Sequence, residues 1–413
     1  MTSASEAGEA ERPRGAAGGP AGPRERLARA LADVYLPSGA LTPDYLAYQL
    51  WALPAHVTGW VSAGLTTSSL FRAAGVGAGP AGVTAAAAAI KWLTRDGLGA
   101  LGRLAVGVRG GREIDEDPRL WRMAAEGAGT VGLALEVASA FFPGDPAAFV
   151  ALAGGGTFLK ALGRGLGRPA FRVVQTHFAA SGNVGDVAAK EEVWEVTGQL
   201  AGLALSVALL GALGDAPDAG AVAGAWAAVH SAHVLLRYAS LRALQLRTLN
   251  YKRARILVAA FLDGRPVPGV AAAGADEHIL SWEGVAQPRA RVGCAVQDAV
   301  DALARAGGDP EARLREHCEA AARAGARYVA VGGGGGRGEV LLRDGSGQVD
   351  RLRGLFHCML AERGGAPAGS LADEYAAAAE RFDAFAAAAA AAGWSVEDRS
   401  VALLAGRERW DVP

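Results

Sequence analysis

Hydrophobic positions fall in long blocks along this chain, with little strict alternation. No charged side chain occurs from Tyr45 to Phe71, or from Ala73 to Ile90. Met123–Phe142 is interrupted only by Glu126 and Glu136, and Pro146–Leu159 is a shorter apolar run. Val196–Gly214 is uncharged, and Ala219–Leu236 carries nothing ionisable except His230 and His233. A helix that crosses a bilayer needs about 20 apolar residues, so several blocks are long enough. Much of their content is Ala and Gly, whose transfer energies lie near zero, against about −0.5 kcal/mol for Leu or Ile. The pattern predicts a mainly α multi-helix bundle. A membrane-embedded bundle and a soluble one with small-residue interfaces both fit, because small residues let helices approach closely in either case.

Helix boundaries are marked locally. A short amphipathic helix is expected over Arg26–Val34, followed by a turn at Leu36–Gly39. Thr42-Pro43-Asp44 predicts a helix start, with a hydroxyl cap and proline at the first helical position. After Gly264 the character changes. Pro266, Pro268 and Pro288 mark a linker, and the remainder predicts a small α+β domain. Arg327–Val331 and Glu339–Arg343 predict a hairpin around the glycines of Gly332–Gly338. Helices are expected over Asp350–Glu362 and over Leu371–Ala392, the latter closed by Gly393. The expected organisation is a disordered tail over 1–24, a helical domain over 25–263, a linker over 264–290 and a C-terminal α+β domain over 291–413.

Charge placement bears on the membrane reading. Lys160, Arg164, Arg168 and Arg172 form one basic stretch. Arg237, Arg242, Arg247, Lys252, Arg253 and Arg255 form a second, and the turn Asp215–Asp218 between the two apolar blocks is acidic. A hairpin of Val196–Gly214 and Ala219–Leu236 across a bilayer would put both basic stretches on one side, as the positive-inside rule requires.

With 41 Lys+Arg against 42 Asp+Glu, the formal charge of −1 excludes a globally basic nucleic-acid binder. Cys294, Cys318 and Cys358 are too few and too far apart for a disulfide framework or a cysteine-rich zinc site. The tail Met1–Arg24 lacks the apolar core of a signal peptide, and Glu6, Glu9 and Glu11 argue against a transit peptide.

Few motifs point to chemistry. Gly97–Gly102 spells GxGxxG, but the run before it reads as helix, whereas dinucleotide binding needs a preceding strand. Gly332–Gly336 lacks the Lys-Ser/Thr of a phosphate loop. His230 and His233 share a helix face without a carboxylate nearby on it, so no metal site is assigned, and a hydrogen-bonding or pathway role is retained. No nucleophile–base pair or cofactor loop stands at recognisable spacing, so no cofactor and no enzymatic activity are expected. Arg172–Glu195 gathers the densest polar set: His177, Asn183, Asp186 and Lys190 between two apolar blocks. Such a set binds an anionic or zwitterionic small molecule, or it caps and pins two helices together.

These residues resemble the root UVB-sensitive (RUS) family, formerly a domain of unknown function. Asp44-Tyr45-Leu46 with Tyr48, Gln49 and Trp51 matches its opening block. Trp92, Arg95-Asp96-Gly97 and Gly102-Arg103 match a second, and Trp121-Arg122 a third. Thr176-His177-Phe178-Ala179, Asn183, Asp186 and Ala189-Lys190 match its most specific signature. His233, Tyr238, Thr248-Leu249-Asn250 and Arg253 match a last segment. The resemblance runs through Leu36–Leu262. Ala52 stands where the family has Asp, and Val193 and Trp194 replace a polar pair before Glu195.

The resemblance implies a membrane protein; a plastid and an endomembrane both fit, and the organelle is left unassigned. It also implies links to UV-B response, seedling and root development, auxin transport and vitamin B6 homeostasis. The family carries no established catalytic residues. On this basis the ligand-site expectation is His177, Asn183, Asp186 and Lys190, backed by Arg95, Asp96 and His233. The expected ligand is a small polar metabolite such as a B6 vitamer. The alternative is a scaffold whose C-terminal domain recruits a protein partner, including another RUS-family member.

Overall fold

The computed structural model describes residues 22–75, 85–106, 111–214, 217–332, 337–365 and 370–406. The expected tail lies almost entirely outside the described residues, as does most of the five-glycine run.

Helix α1 (Pro23–Tyr35) leads into α2 (Tyr45–Ala74). Asp44 is the N-cap of α2, two residues after the expected Thr42. Its carboxylate does not cap the helix. It turns instead to His177 and to the backbone N–H of Gln245. Helices α3 (Ala85–Val106), α4 (Gly111–Glu116) and α5 (Pro118–Ala138) follow, the last extended by a 3-10 turn at Ser139–Phe141. A short helix α6 (Pro146–Ala148), a π-helical turn (Phe149–Gly154) and α7 (Gly155–Phe178) run on as one rod. Helices α8 (Val184–Leu213) and α9 (Ala219–Ala243) complete the layer.

Small residues set the helix interfaces. A Cβ on Gly163 of α7 would come within 2.6 Å of the Ala125 carbonyl of α5, and one on Gly156 would clash with Gly132. A Cβ on Gly202 of α8 would meet the Val57 carbonyl and the Trp60 Cβ of α2 at 2.6 Å. The GxGxxG run lies inside α3, where Gly102 lets the helix approach Phe158 of α7. It is a packing surface.

Helices α8 and α9 do not form an isolated hairpin. Both pack on α2, and the three meet around Val61, Leu65 and Val222. Asp218 caps α9 through the N–H groups of Gly220 and Ala221. Pro146–Phe178, α8 and α9 are long and apolar enough to cross a membrane, by length and composition.

The rest of the chain is α+β. Helices α10 (Tyr251–Leu262), α11 (Val270–Asp276) and α12 (Glu283–Ala286) precede strand β1 (Ala290–Val292). Then come α13 (Val296–Arg305), α14 (Pro310–Arg323), β2 (Tyr328–Val331), β3 (Gly338–Leu342), α15 (Gln348–Glu362) and α16 (Leu371–Ala391). The sheet order is β1-β3-β2, with β3 parallel to β1 and antiparallel to β2, so the expected hairpin forms. Gly393 ends α16 at φ 89°, as the glycine there predicts.

The segment 264–290 is less free than a linker. Leu249, Tyr251, Ala254, Leu257, Val258 and Ala273 share one core with the sheet and with α15 and α16. Within it Glu277, fully buried, accepts hydrogen bonds from Arg119 of α5 and Arg253 of α10, and from Asn250 at 3.2 Å. Lys252 pairs with Asp117 at 2.6 Å. Buried cations need such partners, and these tie the helical layer to the C-terminal region. They also correct the positive-inside argument. Arg237, Lys252 and Arg253 are buried in ion pairs and form no basic collar at a membrane surface.

Candidate functional site

The sequence-selected residues separate into distinct places. Asn183, Asp186 and Lys190 lie where α8 begins: the first two hold the segment that joins α1 to α2, and Lys190 holds the last turn of α1. Asp186 accepts from the N–H and hydroxyl of Ser38, Asn183 donates to the Ser38 carbonyl, and Lys190 donates to the Asp33 carbonyl. Trp194, one of the departures from the family pattern, adds an indole N–H bond to the Tyr35 carbonyl at 3.0 Å. This is the pinning arrangement among the alternatives open in the sequence.

Arg95 and Asp96 lie on α3. Arg95 donates to Thr157 at 2.8 Å and to Glu136 at 3.4 Å, while Asp96 is exposed beside it. Glu136, fully buried, also accepts from Thr157 and Lys160. Three donors satisfy a carboxylate that the sequence showed only as a break in an apolar run. His233 lies on α9, facing Glu126 of α5.

His177 alone among the seven borders a cavity of about 680 Å³. One wall is α7, through Arg168, Arg172, Val173 and Thr176. The other is Leu246–Thr248 with Arg253, and α4–α5 supplies Asp115, Glu116 and Pro118. Three features of the chain build this wall. Arg168 and Arg172 stand four residues apart on α7 and so share a face. Asn250 caps α10 by accepting from the Arg253 N–H at 2.9 Å, which fixes the strand-like 246–249 segment before it. His177 Nε2 binds both oxygens of Asp44, at 2.9 and 3.2 Å, which ties the end of α7 to the start of α2. Burial raises the Asp44 carboxyl, but His177, Thr42 and the Gln245 N–H together outweigh it and the net direction is down.

The cavity is predominantly cationic. Arg253 is committed to Glu277 and the Thr248 carbonyl. Arg168, Arg172 and Arg247 are the remaining guanidinium groups at its walls, with Thr176 and Thr248 as neutral polar partners. Glu116 accepts from the Tyr251 N–H at 2.9 Å, and burial pushes its carboxyl up to about 7. Near neutral pH it therefore adds less than a full negative charge. The volume lies within the ~300–1,000 Å³ common for small-molecule sites. Forked guanidinium groups suit carboxylate or phosphate oxygens. Among the described residues no group of His, Cys, Asp and Glu is placed to hold a metal ion. Sequence reading treated Arg168, Arg172 and Arg247 as topological charge only. The four-residue spacing of the α7 cations was the signal that placed them on one face.

A family model described as "Vitamin B6 photo-protection and homoeostasis domain" matches residues 22–265. Protein root UVB sensitive 5 of Arabidopsis thaliana is 42% identical over 274 residues, 64% of this chain and 53% of that protein. RUS family member 1 of Dictyostelium discoideum is 28% identical over 254 residues, 60% of this chain and 47% of its own. Protein root UVB sensitive 2, chloroplastic, of Arabidopsis thaliana is 28% identical over 247 residues, 59% and 55% respectively. The chain thus spans about half the length of the curated relatives it matches. No solved structure matches it.

Proposed function

The chain belongs to the root UVB sensitive family, whose domain is described by vitamin B6 photo-protection and homoeostasis, and from that premise we propose that it is a multi-pass membrane protein that binds and passes a small anionic metabolite of the phosphorylated B6 class. The observation that carries this reading is the cationic cavity beside α7. Arg168, Arg172 and Arg247 supply the charge for a phosphate, and Thr176 and Thr248 supply hydroxyls for a ring or its substituents. Among the described residues no lysine lines the cavity, so an aldehyde vitamer is held there without a Schiff base. Reversible holding suits carriage better than chemistry.

The membrane part rests on three apolar helices and on where their side chains point. Leu200 and Val207 of α8 and Leu235 of α9 are each about two-thirds exposed or more. A lipid environment satisfies such faces.

The test is calorimetric titration of the detergent-purified chain with pyridoxal 5′-phosphate. Measurable binding is expected, weakened at least tenfold in R168A/R172A, with pyridoxine binding weakly because it lacks the phosphate. Binding that ignores the double substitution, or no binding, overturns the reading.

A further inference from the structure

A second polar assembly lies between α2, α5 and α9. Glu126 Oε1 of α5 is 2.8 Å from His233 Nε2 of α9, and Glu126 Oε2 is 3.6 Å from Arg237 Nε. The other ring nitrogen of His233, Nδ1, is 2.7 Å from the Ala55 carbonyl of α2. A carbonyl oxygen only accepts, so Nδ1 carries a hydrogen. A carboxylate oxygen also only accepts. The contact between Nε2 and Oε1 therefore requires a second hydrogen, on the ring or on the carboxyl group. Either way the pair holds one proton more than a neutral imidazole beside a carboxylate.

Glu126 also reaches a smaller cavity of about 220 Å³ between α5 and α7, lined by Arg122, Leu133, Lys160 and Arg164. Arg164 stands one turn, ~6 Å, along α7 from Arg168 of the large cavity. Arg122 lies against the same stretch of α7, donating to the Gly167 carbonyl at 3.4 Å and stacking over Phe171 at 5.3 Å. The groups facing the pair are Arg122 on its own helix, Arg237 and His230 on α9, and His56 and Tyr48 on α2. Lys160 and Arg164 face it from α7, and Glu195 of α8 faces Arg122.

The geometry points to a proton-binding site: Glu126 and His233 carry one exchangeable proton, taken up when an anion occupies the large cavity and released when it leaves. The coupling rests on the anion reading above, whereas the loaded pair does not. On release the proton between Nε2 and Oε1 passes through the small cavity to water. The ring keeps its Nδ1 hydrogen, and the freed carboxylate turns to Arg237. An anion beside Arg168 and Arg172 lowers the positive potential that opposes the extra proton, and linkage makes the effect reciprocal. Anion affinity therefore falls as pH rises through the titration of the pair.

Two measurements on the detergent-purified full chain test this. The first is nitrogen NMR of labelled histidine, with His233 assigned by comparison with H233Q. A ring protonated at Nδ1 at neutral pH, with a second proton lost on raising the pH, is expected. A bare Nδ1 at neutral pH overturns the site. The second is the pyridoxal 5′-phosphate titration, run at the pH where the first measurement finds the second proton half lost, in two buffers of different ionisation enthalpy. Uptake of up to one proton per ligand is expected, abolished in E126Q. Binding without proton uptake overturns the coupling and leaves the proposed function standing. Absence of binding overturns the proposed function, and the ring titration still judges the pair.

Discussion

The helical layer and the C-terminal region solve the packing problem in opposite ways. The C-terminal region closes one core around β3, with Phe356, Phe382, Phe385 and Tyr375 interlocked and every residue of β2 and β3 buried. Among the described residues the helical layer's buried apolar side chains fall into three separate clusters. Its helices meet through glycines and buried polar groups as well as those clusters, and Val131, Leu200, Leu203, Leu205, Val207 and Leu235 point outward. A core of the first kind gains from removing apolar area from water, at roughly 25 cal/mol per Å². An assembly of the second kind gains little that way. It depends on close backbone contact and on polar groups that find partners inside, which is the economy of helices in lipid.

The comparison breaks most severely at the joint between the regions. Glu277→Ala leaves Arg119 and Arg253 buried without their carboxylate. A loss of about 3–5 kcal/mol is expected, read as loss of cooperative unfolding by both regions in detergent. Next comes the outward face. Val207→Asp, near the middle of the uncharged stretch Val196–Gly214 of α8, should cost ~3 kcal/mol in a membrane-insertion assay. The same change at half-exposed Val296, in the first turn of α13, should move stability by less than ~0.5 kcal/mol.

Two buried carboxyls sharpen the contrast through pH. Burial raises Glu116 to about 7, so between its ordinary value of 4.5 and 7 the folded chain binds the extra proton. Stability then declines as pH rises through that window, by about 3 kcal/mol. Burial also pushes Glu277 upward, but Arg253 and Arg119 outweigh it and bring it to about 2. Its contribution is complete above 4.5 and is lost as pH falls toward 2, again by about 3 kcal/mol. Unfolding midpoints across pH should show both slopes, and E116Q should flatten only the upper one.

The smallest effect tests the glycine interfaces. Gly163→Ala forces a methyl toward the Ala125 carbonyl and should cost ~1–3 kcal/mol. Gly127→Ala, on the same α5 but with open space around it, should instead gain up to about 1 kcal/mol.

Helices and the hairpin were legible because their signals are local: uncharged runs, two β-prone runs flanking a glycine-rich turn, Gly393 as a stop. The α-helical layer with a small α+β region follows from those signals. Contacts between distant segments were not legible. Periodicity does not show that α2 lies between α8 and α9, or that Glu277 of an apparent linker anchors two arginines. The signature residues were found but not their grouping. Asn183, Asp186 and Lys190 face the 33–40 segment, because α8 starts beside it. His177 looks the other way, from the end of α7. Arg168 and Arg172 were visible as charge, but their cavity exists only once 246–249 folds against them.

We propose that the outward apolar faces of α8 and α9 lie in lipid. The most direct measurement is partition of the tagged full chain after an alkaline carbonate wash of membranes. Retention in the washed membrane is the result predicted here. Release into the supernatant would contradict it, leaving those faces to a soluble bundle and removing the barrier across which a bound anion would be passed.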